Sequence, residues 1–447
     1  MKKYFHIALI FTLAVAISSC KKYLDVIPKG VVIPEKVSEF DLLLNSEPVT
    51  TSFPEQMMYA SDDVHAPYTK VEDNPDANAY FWKTQLNNSV EASPAIWGPL
   101  YRSIYNTNVV IKNVLNAKDG TDVKKKQLFG EALAFRAAYY FDLATIYSKA
   151  YNASTAASDL GIPLVSSIDV TEKTPARSTL QATFDTIINN LKTASDYLPR
   201  ANTSNARMNK YSAFGLLSRV YLYMQDYANA ALYAGKALEG TNDLLDYNDY
   251  FAGYELPFSE DNPEIVWHRL PNNIAAIFYI TYSNQLIETF SPDDLRLQLF
   301  AQDFYGIGEY YYGGPDYGSY GINVPEIMLN RAEALVHNNK ADDAIDIINE
   351  IRSKRISAFA YSPLTASGNA EALEIVLQER RWELALKGTR WMDMKRLDAQ
   401  EKMPAVQRKD TDTGDILETL APKSIHYTFE IPSRVLLFNP NMVKNFK

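Results

Sequence analysis

The amino-acid sequence predicts a mostly α-helical protein built from helical hairpins, with an irregular face rich in loops. Three observations predict this fold class. Two long segments carry apolar side chains at steps of three and four residues, two further segments repeat one helix–turn–helix pattern, and the stretches between them are rich in turn residues. With 447 residues, 47% of them hydrophobic and 22% charged, the chain can bury a large core.

The apolar stripes indicate two of the helices. In the first, apolar or aromatic residues recur every three or four positions from Leu128 to Ile146, so they share one helix face. The second stripe runs from Phe184 to Leu198. Pro199 should end this helix, because proline lacks the amide hydrogen that would continue it.

Segments 211–238 and 325–355 each contain two helical stretches separated by a polar break, and they match each other. The matching small residues are Ser218 with Ala332 and Ala230 with Ala344. Small residues at these positions let two antiparallel helices approach closely, which is the basis of a tetratricopeptide-type hairpin. The sequence therefore supports a helical-hairpin architecture.

Turn residues fill much of the remaining chain, and long loops within one body are often functional. We expect a signal peptide over residues 1–19 and one domain over 20–447. Within that domain we expect repeat-type helices around 95–147, 178–199, 210–239 and 325–396, and a loop-rich ligand face around 30–94 and 242–321.

Charge and cysteine content exclude two classes of protein. The 54 acidic residues outnumber the 44 lysines and arginines, so the net charge is −10. This balance argues against nucleic acid as a ligand, because polyanions require basic patches. The single cysteine, Cys20, rules out an internal disulfide. The compositional excess is in tyrosine, with 30 residues.

The N-terminus predicts export and lipid attachment. Lys2 and Lys3 precede an apolar run that is too short to span a bilayer comfortably but suits a signal peptide. The run ends in Ile17-Ser18-Ser19-Cys20, which resembles a bacterial lipobox. The resemblance implies that Cys20 becomes the first residue and carries acyl chains such as palmitate, more than one being needed for stable anchoring. An ordinary secretory signal with an incidental cysteine is the alternative.

Several motifs follow the lipobox: Lys22–Gly30, Trp97–Tyr101, Gly130–Leu143, Glu379–Ala385, Gly388–Arg396 and Ile431–Asn441. In this order they resemble the SusD/RagB family of outer-membrane lipoproteins of Bacteroidota, and the similarity covers nearly all of the chain after Cys20. The resemblance implies a SusD-like fold with four tetratricopeptide-like units and an irregular face.

The resemblance also implies a function. A SusD-like lipoprotein on the outer membrane, facing the cell exterior, would bind oligosaccharide and deliver it to a partner TonB-dependent transporter, a SusC-like barrel. Some relatives serve peptides, so an oligopeptide or glycopeptide receptor in the same kind of uptake complex is the alternative.

Aromatic residues on the predicted loops are the candidate ligand contacts, because sugar rings present flat apolar faces edged with hydroxyls. The first set lies in a Tyr/Gly-rich run over residues 303–321 and consists of Tyr310, Tyr311, Tyr312, Tyr317 and Tyr320. The second set lies on the N-terminal loops and consists of Tyr68, Tyr80, Trp82, Asp62, Asp63 and Asn74. In both sets the alternative is that the side chains pack beneath the loops.

A surface glycosidase is the enzymatic alternative. Such an enzyme needs two carboxylates across a sugar, but no local signature indicates a pair. The charges at Glu379–Glu383 are more typical of ion pairs than of a catalytic cluster. The five histidines lack metal-ligand spacing. We therefore predict no catalysis, no metal and no cofactor.

Overall fold

The helices follow the predicted stripes and hairpins. The computed structural model describes residues 34–66, 74–87, 89–314, 318–410 and 413–446, and both the predicted signal peptide and Cys20 lie outside these ranges. The longer helices of the described chain are α1 (Val37–Leu44), α2 (Trp97–Asn113), α3 (Asp122–Tyr147), α4 (Leu180–Tyr197), α5 (Lys210–Tyr223), α6 (Tyr227–Leu238), α7 (Val324–His337), α8 (Ala341–Ser353), α9 (Asn369–Glu383) and α10 (Arg390–Ala399). None of the helices in these ranges is long and apolar enough to cross a membrane.

Side chains at the helix ends explain where the helices begin and stop. The Thr121 hydroxyl accepts a hydrogen bond from a backbone N–H in the first turn of α3, 3.2 Å away. Asn209 and Ser212 form a reciprocal capping box at the start of α5. Such caps satisfy amides that the first helical turn leaves unpaired. α4 ends at Tyr197, just before Pro199, as the sequence predicts.

The two predicted hairpins are confirmed. α5 and α6 are joined by a tight turn in which Gln225 has a φ of 63°, and α7 and α8 by a turn in which Asn339 has a φ of 60°. The four small residues at the matching positions are fully buried: Ser218, Ala230, Ala332 and Ala344. α6 also packs against α7, so the hairpins stack as tetratricopeptide-type units do.

Short strands and short helices lie in the predicted loop stretches and also between and after the longer helices. The strands are β1 (Thr51–Phe53), β2 (Val64–His65), β3 (Leu160–Pro163), β4 (Arg177–Thr179), β5 (Ile265–Trp267), β6 (Leu270–Pro271), β7 (Thr281–Tyr282), β8 (Ala301–Gln302), β9 (Tyr311–Tyr312), β10 (Ile322–Asn323), β11 (Val406–Lys409) and β12 (Ile416–Leu420). The short α-helices are Glu47–Thr50, Gln56–Tyr59, Pro75–Tyr80, Tyr247–Phe251, Asn284–Ile287, Leu295–Phe300 and Ser433–Phe438, and the 3-10 helices are Val114–Asn116, Ile274–Tyr279 and Ile425–Tyr427.

One four-stranded sheet organises the loop-rich face. Its strand order is β2-β7-β9-β8, with every neighbouring pair antiparallel. In its register Thr281 lies opposite Tyr311, and Ala301 lies opposite Tyr312. The remaining strands form pairs, of which β1-β6 is parallel and β3-β4, β5-β10 and β11-β12 are antiparallel. The sheet brings segments near residues 64, 281, 301 and 311 together.

Buried ion pairs connect α9 to the loop-rich face. The Arg296 guanidinium lies 2.6 Å from a carboxylate oxygen of Asp294, 2.6 Å from one of Glu379 and 2.9 Å from one of Glu383. Arg355 contacts Glu383 from the end of α8 at 2.9 Å. The charges of the Glu379–Glu383 motif form ion pairs, as interpreted, but with partners far away in the chain.

Candidate ligand-binding site

An open cavity of about 620 Å³ lies on the loop-rich face. We call three of its buried lining residues the floor: Met58, Ile280 and Tyr320. We call its exposed aromatic lining residues the rim: Phe258, Phe278, Phe304 and Tyr305. A cavity of this volume is in the range of small-molecule sites in proteins.

Strand β9 contributes two of the predicted tyrosines to the cavity wall. The Tyr311 hydroxyl donates a hydrogen bond to a carboxylate oxygen of Glu309 at 2.8 Å. The Tyr312 ring stacks on Phe300 with 5.8 Å between centroids, and the Lys387 ammonium lies 5.1 Å from the Tyr312 centroid. Stacking and cation–π contacts of this kind restrict the orientation of the Tyr312 ring.

Glycines beside β9 leave room for Tyr312. A Cβ atom at Gly314 would collide with the Tyr312 hydroxyl. Gly318 has a φ of 75°, a conformation that residues with a Cβ rarely adopt. The glycine spacing seen in the sequence therefore serves ring packing as well as backbone turns.

A short loop that holds itself in place presents part of the rim. The Asp303 carboxylate accepts hydrogen bonds from the backbone N–H groups of Ile307, at 3.1 Å, and Gly308, at 2.8 Å. These bonds lower the pKa of Asp303, and the bond from Gly308 has the largest effect. The loop places Tyr305 edge-on to Tyr311, with 5.7 Å between centroids. Because the Tyr305 side chain is 70% exposed, one face of its ring is accessible to a ligand.

The first predicted set is partly assembled at this cavity. Tyr311, Tyr312 and Tyr320 line it, and Tyr320 also stacks on Phe53 with 4.6 Å between centroids. Tyr310 is half-buried and packs against the core. Tyr317 lies outside the described residues. Ligand contact by these tyrosines stays a prediction.

In the second predicted set, the two aspartates are buried among arginines and do not line the cavity. Asp62 lies 2.6 Å from Arg390, and Asp63 lies 2.7 Å from Arg381. Burial would raise the pKa of Asp62, but Arg390 and Arg381 outweigh it and lower that pKa to about 2. Burial and the Asp62 charge together raise the pKa of Asp63. Both carboxylates are thus engaged in the interior.

The other members of the second set also have structural contacts. Tyr80 and Trp82 flank the buried Arg408 guanidinium, with 3.9 and 4.4 Å from its central carbon to the ring centroids. The Asn74 side chain caps the short helix Pro75–Tyr80 by accepting a backbone hydrogen bond at 2.8 Å. Tyr68 lies outside the described residues. Ligand contact by this set stays a prediction.

The rim is what sequence reasoning missed. Phe258 and Phe278 precede the Tyr/Gly-rich run, and no local pattern distinguishes an exposed loop phenylalanine from a core one. Phe304 and Tyr305 lie inside that run, so treating all of its aromatic residues as candidates would have included them.

Comparisons with known proteins identify related families. A family model described as "Starch-binding associating with outer membrane" matches residues 22–222. A second model, described as the SusD family, matches residues 324–447. Together they match both ends of the chain after Cys20 and leave the segment with most of the cavity residues unmatched.

Individual relatives span almost the whole chain. The chain is 21% identical to SusD-like protein P38 of Formosa agariphila, covering 89% of this chain and 92% of that protein. A SusD superfamily structure from Bacteroides thetaiotaomicron has a TM-score of 0.78 at 21% identity. The match covers 92% of this chain and 100% of that chain. A SusD-like carbohydrate binding protein from Bacteroides vulgatus has a TM-score of 0.72 at 20% identity, covering 92% and 98% of the two chains.

Proposed function

The chain belongs to the SusD family, and from this premise we propose that it is a non-catalytic surface lipoprotein that binds oligosaccharide and delivers it to a TonB-dependent transporter. The carbohydrate-binding relative of the same fold supports this proposal.

The single observation that carries the proposal is the exposed aromatic rim above a preformed cavity. Phe304 and Tyr305 are 59% and 70% exposed, although burial of aromatic side chains is normally favourable. Aromatic rings that are exposed to solvent can stack on the C–H faces of sugar rings. Tyr311 would extend this platform into the cavity, with its ring held by Glu309.

The proposed location rests on the N-terminal sequence. Acylation of Cys20 would tether the protein to the outer membrane with its ligand face towards the exterior. The partner would be a SusC-like barrel, as the family resemblance implies.

An oligopeptide or glycopeptide receptor is the second candidate function. The observation that favours it is the apolar wall of the cavity, which includes Ile277 and Leu386. Such a wall can accommodate apolar peptide side chains as well as the apolar faces of sugars.

A binding screen tests the function. Soluble protein beginning after Cys20 should bind members of an oligosaccharide panel in calorimetry and release no reducing sugar from them. Release of reducing sugar by the pure protein would overturn the non-catalytic proposal. Binding of peptides without any oligosaccharide would favour the second candidate.

A fractionation experiment tests the anchor. Cys20→Ala should move the protein from the membrane fraction to the soluble fraction, because no thiol is then available for acylation. Retention of this variant on membranes washed with high salt would overturn the lipid-anchor proposal. Ser19→Ala, which keeps the cysteine and a small residue before it, is the matched control and should stay on the membrane.

A further inference from the structure

The cavity differs in one respect from the site expected for a bare oligosaccharide. The many hydroxyls of an oligosaccharide are bound well by side chains with several hydrogen-bonding atoms, such as Asp, Asn, Gln and Arg. Among the described lining residues, none is Asp, Asn, Glu, Gln, Arg or His. The polar side-chain groups of these lining residues are tyrosine hydroxyls, the Ser319 hydroxyl and the Lys387 ammonium.

Several of these polar groups already have partners. The Tyr311 hydroxyl donates to Glu309 at 2.8 Å. The Ser319 hydroxyl lies 3.4 Å from the backbone N–H of Arg269. The Lys387 ammonium lies near the rings of Tyr312 and Phe300, at 5.1 and 5.7 Å from their centroids. A fully hydroxylated sugar that entered this space would lose its hydrogen bonds to water and gain few hydrogen bonds to the protein. This exchange is unfavourable.

The rim and the floor suit different parts of a ligand. The rim rings are exposed and can stack on a sugar that keeps its hydroxyls in water. The floor is mostly apolar, Met58 and Ile280 being 4% and 2% exposed, and the Tyr320 hydroxyl is its one polar side-chain group. The floor therefore favours an apolar group over a fully hydroxylated one.

We infer that the cavity takes a glycan bearing an aromatic or acyl substituent, with the substituent in the cavity and the sugar on the rim. This inference rests on the proposed function and adds the chemical class of its ligand. The volume of about 620 Å³ is sufficient for an aromatic ring together with part of a sugar.

Matched glycosides test the inference. For glucose, galactose, mannose and xylose, the affinity of the 4-nitrophenyl glycoside is compared by calorimetry with that of the methyl glycoside. The nitrophenyl member should bind at least about tenfold more tightly, because its ring leaves water for an apolar wall. Ile277→Ser, in the half-buried wall, should reduce that preference, whereas Tyr305→Ala, on the rim, should weaken both members of a pair alike.

The outcomes separate this inference from the proposed function. Two outcomes would overturn the inference and leave the proposed function intact. One is equal affinity for the 4-nitrophenyl and methyl glycosides of each sugar. The other is binding of unsubstituted oligosaccharides with no binding of either glycoside. Failure of every glycoside and oligosaccharide to bind would overturn both. Binding of free 4-nitrophenol as tightly as of its glycosides would overturn the placement of the sugar on the rim. If Ile277→Ser does not fold, the wild-type pairs alone decide the result.

Discussion

The protein uses charged and aromatic side chains in opposite ways in two regions. Around α9 and α10 the arginines and carboxylates are buried and paired, as in the contact of 2.7 Å between Arg380 and Asp393. Around the cavity, large aromatic side chains are exposed, as Phe304 and Tyr305 are. In most proteins charged residues face solvent and large aromatic residues are buried.

The difference indicates which residues serve the fold and which are available to a ligand. Burial alone would raise the pKa of Asp393, but Arg380 and Arg396 outweigh it and lower that pKa to about 2. The carboxylate is therefore ionised and fully engaged within the protein. The four rim side chains are each more than half exposed and remain accessible. The charged Glu379–Glu383 motif is thus structural, and exposed phenylalanines together with tyrosines form the candidate site.

The largest expected effect comes from breaking the buried charge network. Arg296→Met leaves the carboxylates of Asp294, Glu379 and Glu383 without their shared partner, so we expect a loss of about 3–5 kcal/mol in the free energy of unfolding. Urea denaturation measures the loss. Lys423→Met removes the exposed partner of Glu401 and should reduce stability far less, because solvent screens this pair. Equal losses in the two variants would contradict the structural role of the buried network.

The second prediction concerns the pH dependence of stability and the buried carboxylate of Glu55, which is paired with amides and not with an arginine. Glu55 accepts hydrogen bonds from the Gln56 side chain at 2.8 Å and from the backbone N–H of Asn273 at 3.2 Å. Burial, partly offset by these bonds, raises the pKa of Glu55 to about 7. The folded protein therefore holds this proton more tightly than the unfolded chain does. The resulting stability is present below about pH 4.3 and is lost as the pH rises towards 7.

Glu55→Gln should remove this pH dependence. Relative to wild type, the free energy of unfolding of the variant should increase by about 2 kcal/mol between pH 5 and pH 7.5. Denaturation at both pH values measures the change. Glu374→Gln, at an exposed position on α9, is the control and should keep the wild-type profile. A constant difference between Glu55→Gln and wild type would contradict the raised pKa.

Removal of one ring from the aromatic region should affect binding more than stability. Tyr311→Ala should weaken the binding of a responsive oligosaccharide by about tenfold, because a stacking surface in the cavity wall is lost. Calorimetry measures the affinity, and a thermal melt checks the fold. Tyr197→Ala, on the partly exposed end of α4, should leave binding unchanged. A large fall in the melting temperature of Tyr311→Ala would place this ring with the structural residues instead.

The smallest expected effect comes from loosening the rim loop. Asp303→Ala removes the acceptor for the backbone N–H groups of Ile307 and Gly308, so Tyr305 should be held less firmly. We expect affinity to fall about threefold to tenfold, with little change in melting temperature, because the loop is exposed. Asp303→Asn keeps one acceptor oxygen and should lie between the variant and wild type. Unchanged affinity in Asp303→Ala would show that the loop does not position the rim.

Much of the fold could be predicted because it depends on local patterns. The stripe ending before Pro199 and the small residues at Ser218 and Ala332 correspond to observed helix ends and packing sites. The candidate site was less accessible to prediction. Asp62 looked like a loop residue available to a ligand, but Arg390, 328 residues away in the chain, bonds its carboxylate.

The sequence was sufficient for the helices, the hairpins and the family resemblance, because periodicity and capping act over a few neighbouring residues. Which aromatic rings are exposed was decided by the tertiary structure. Tyr320 and Tyr305 belong to one Tyr/Gly-rich run. Phe53 covers Tyr320, whereas Tyr305 remains exposed. The burial of a side chain depends on which distant segments pack against it. In the four-stranded sheet, the paired strands β2 and β7 are more than 200 residues apart in the chain.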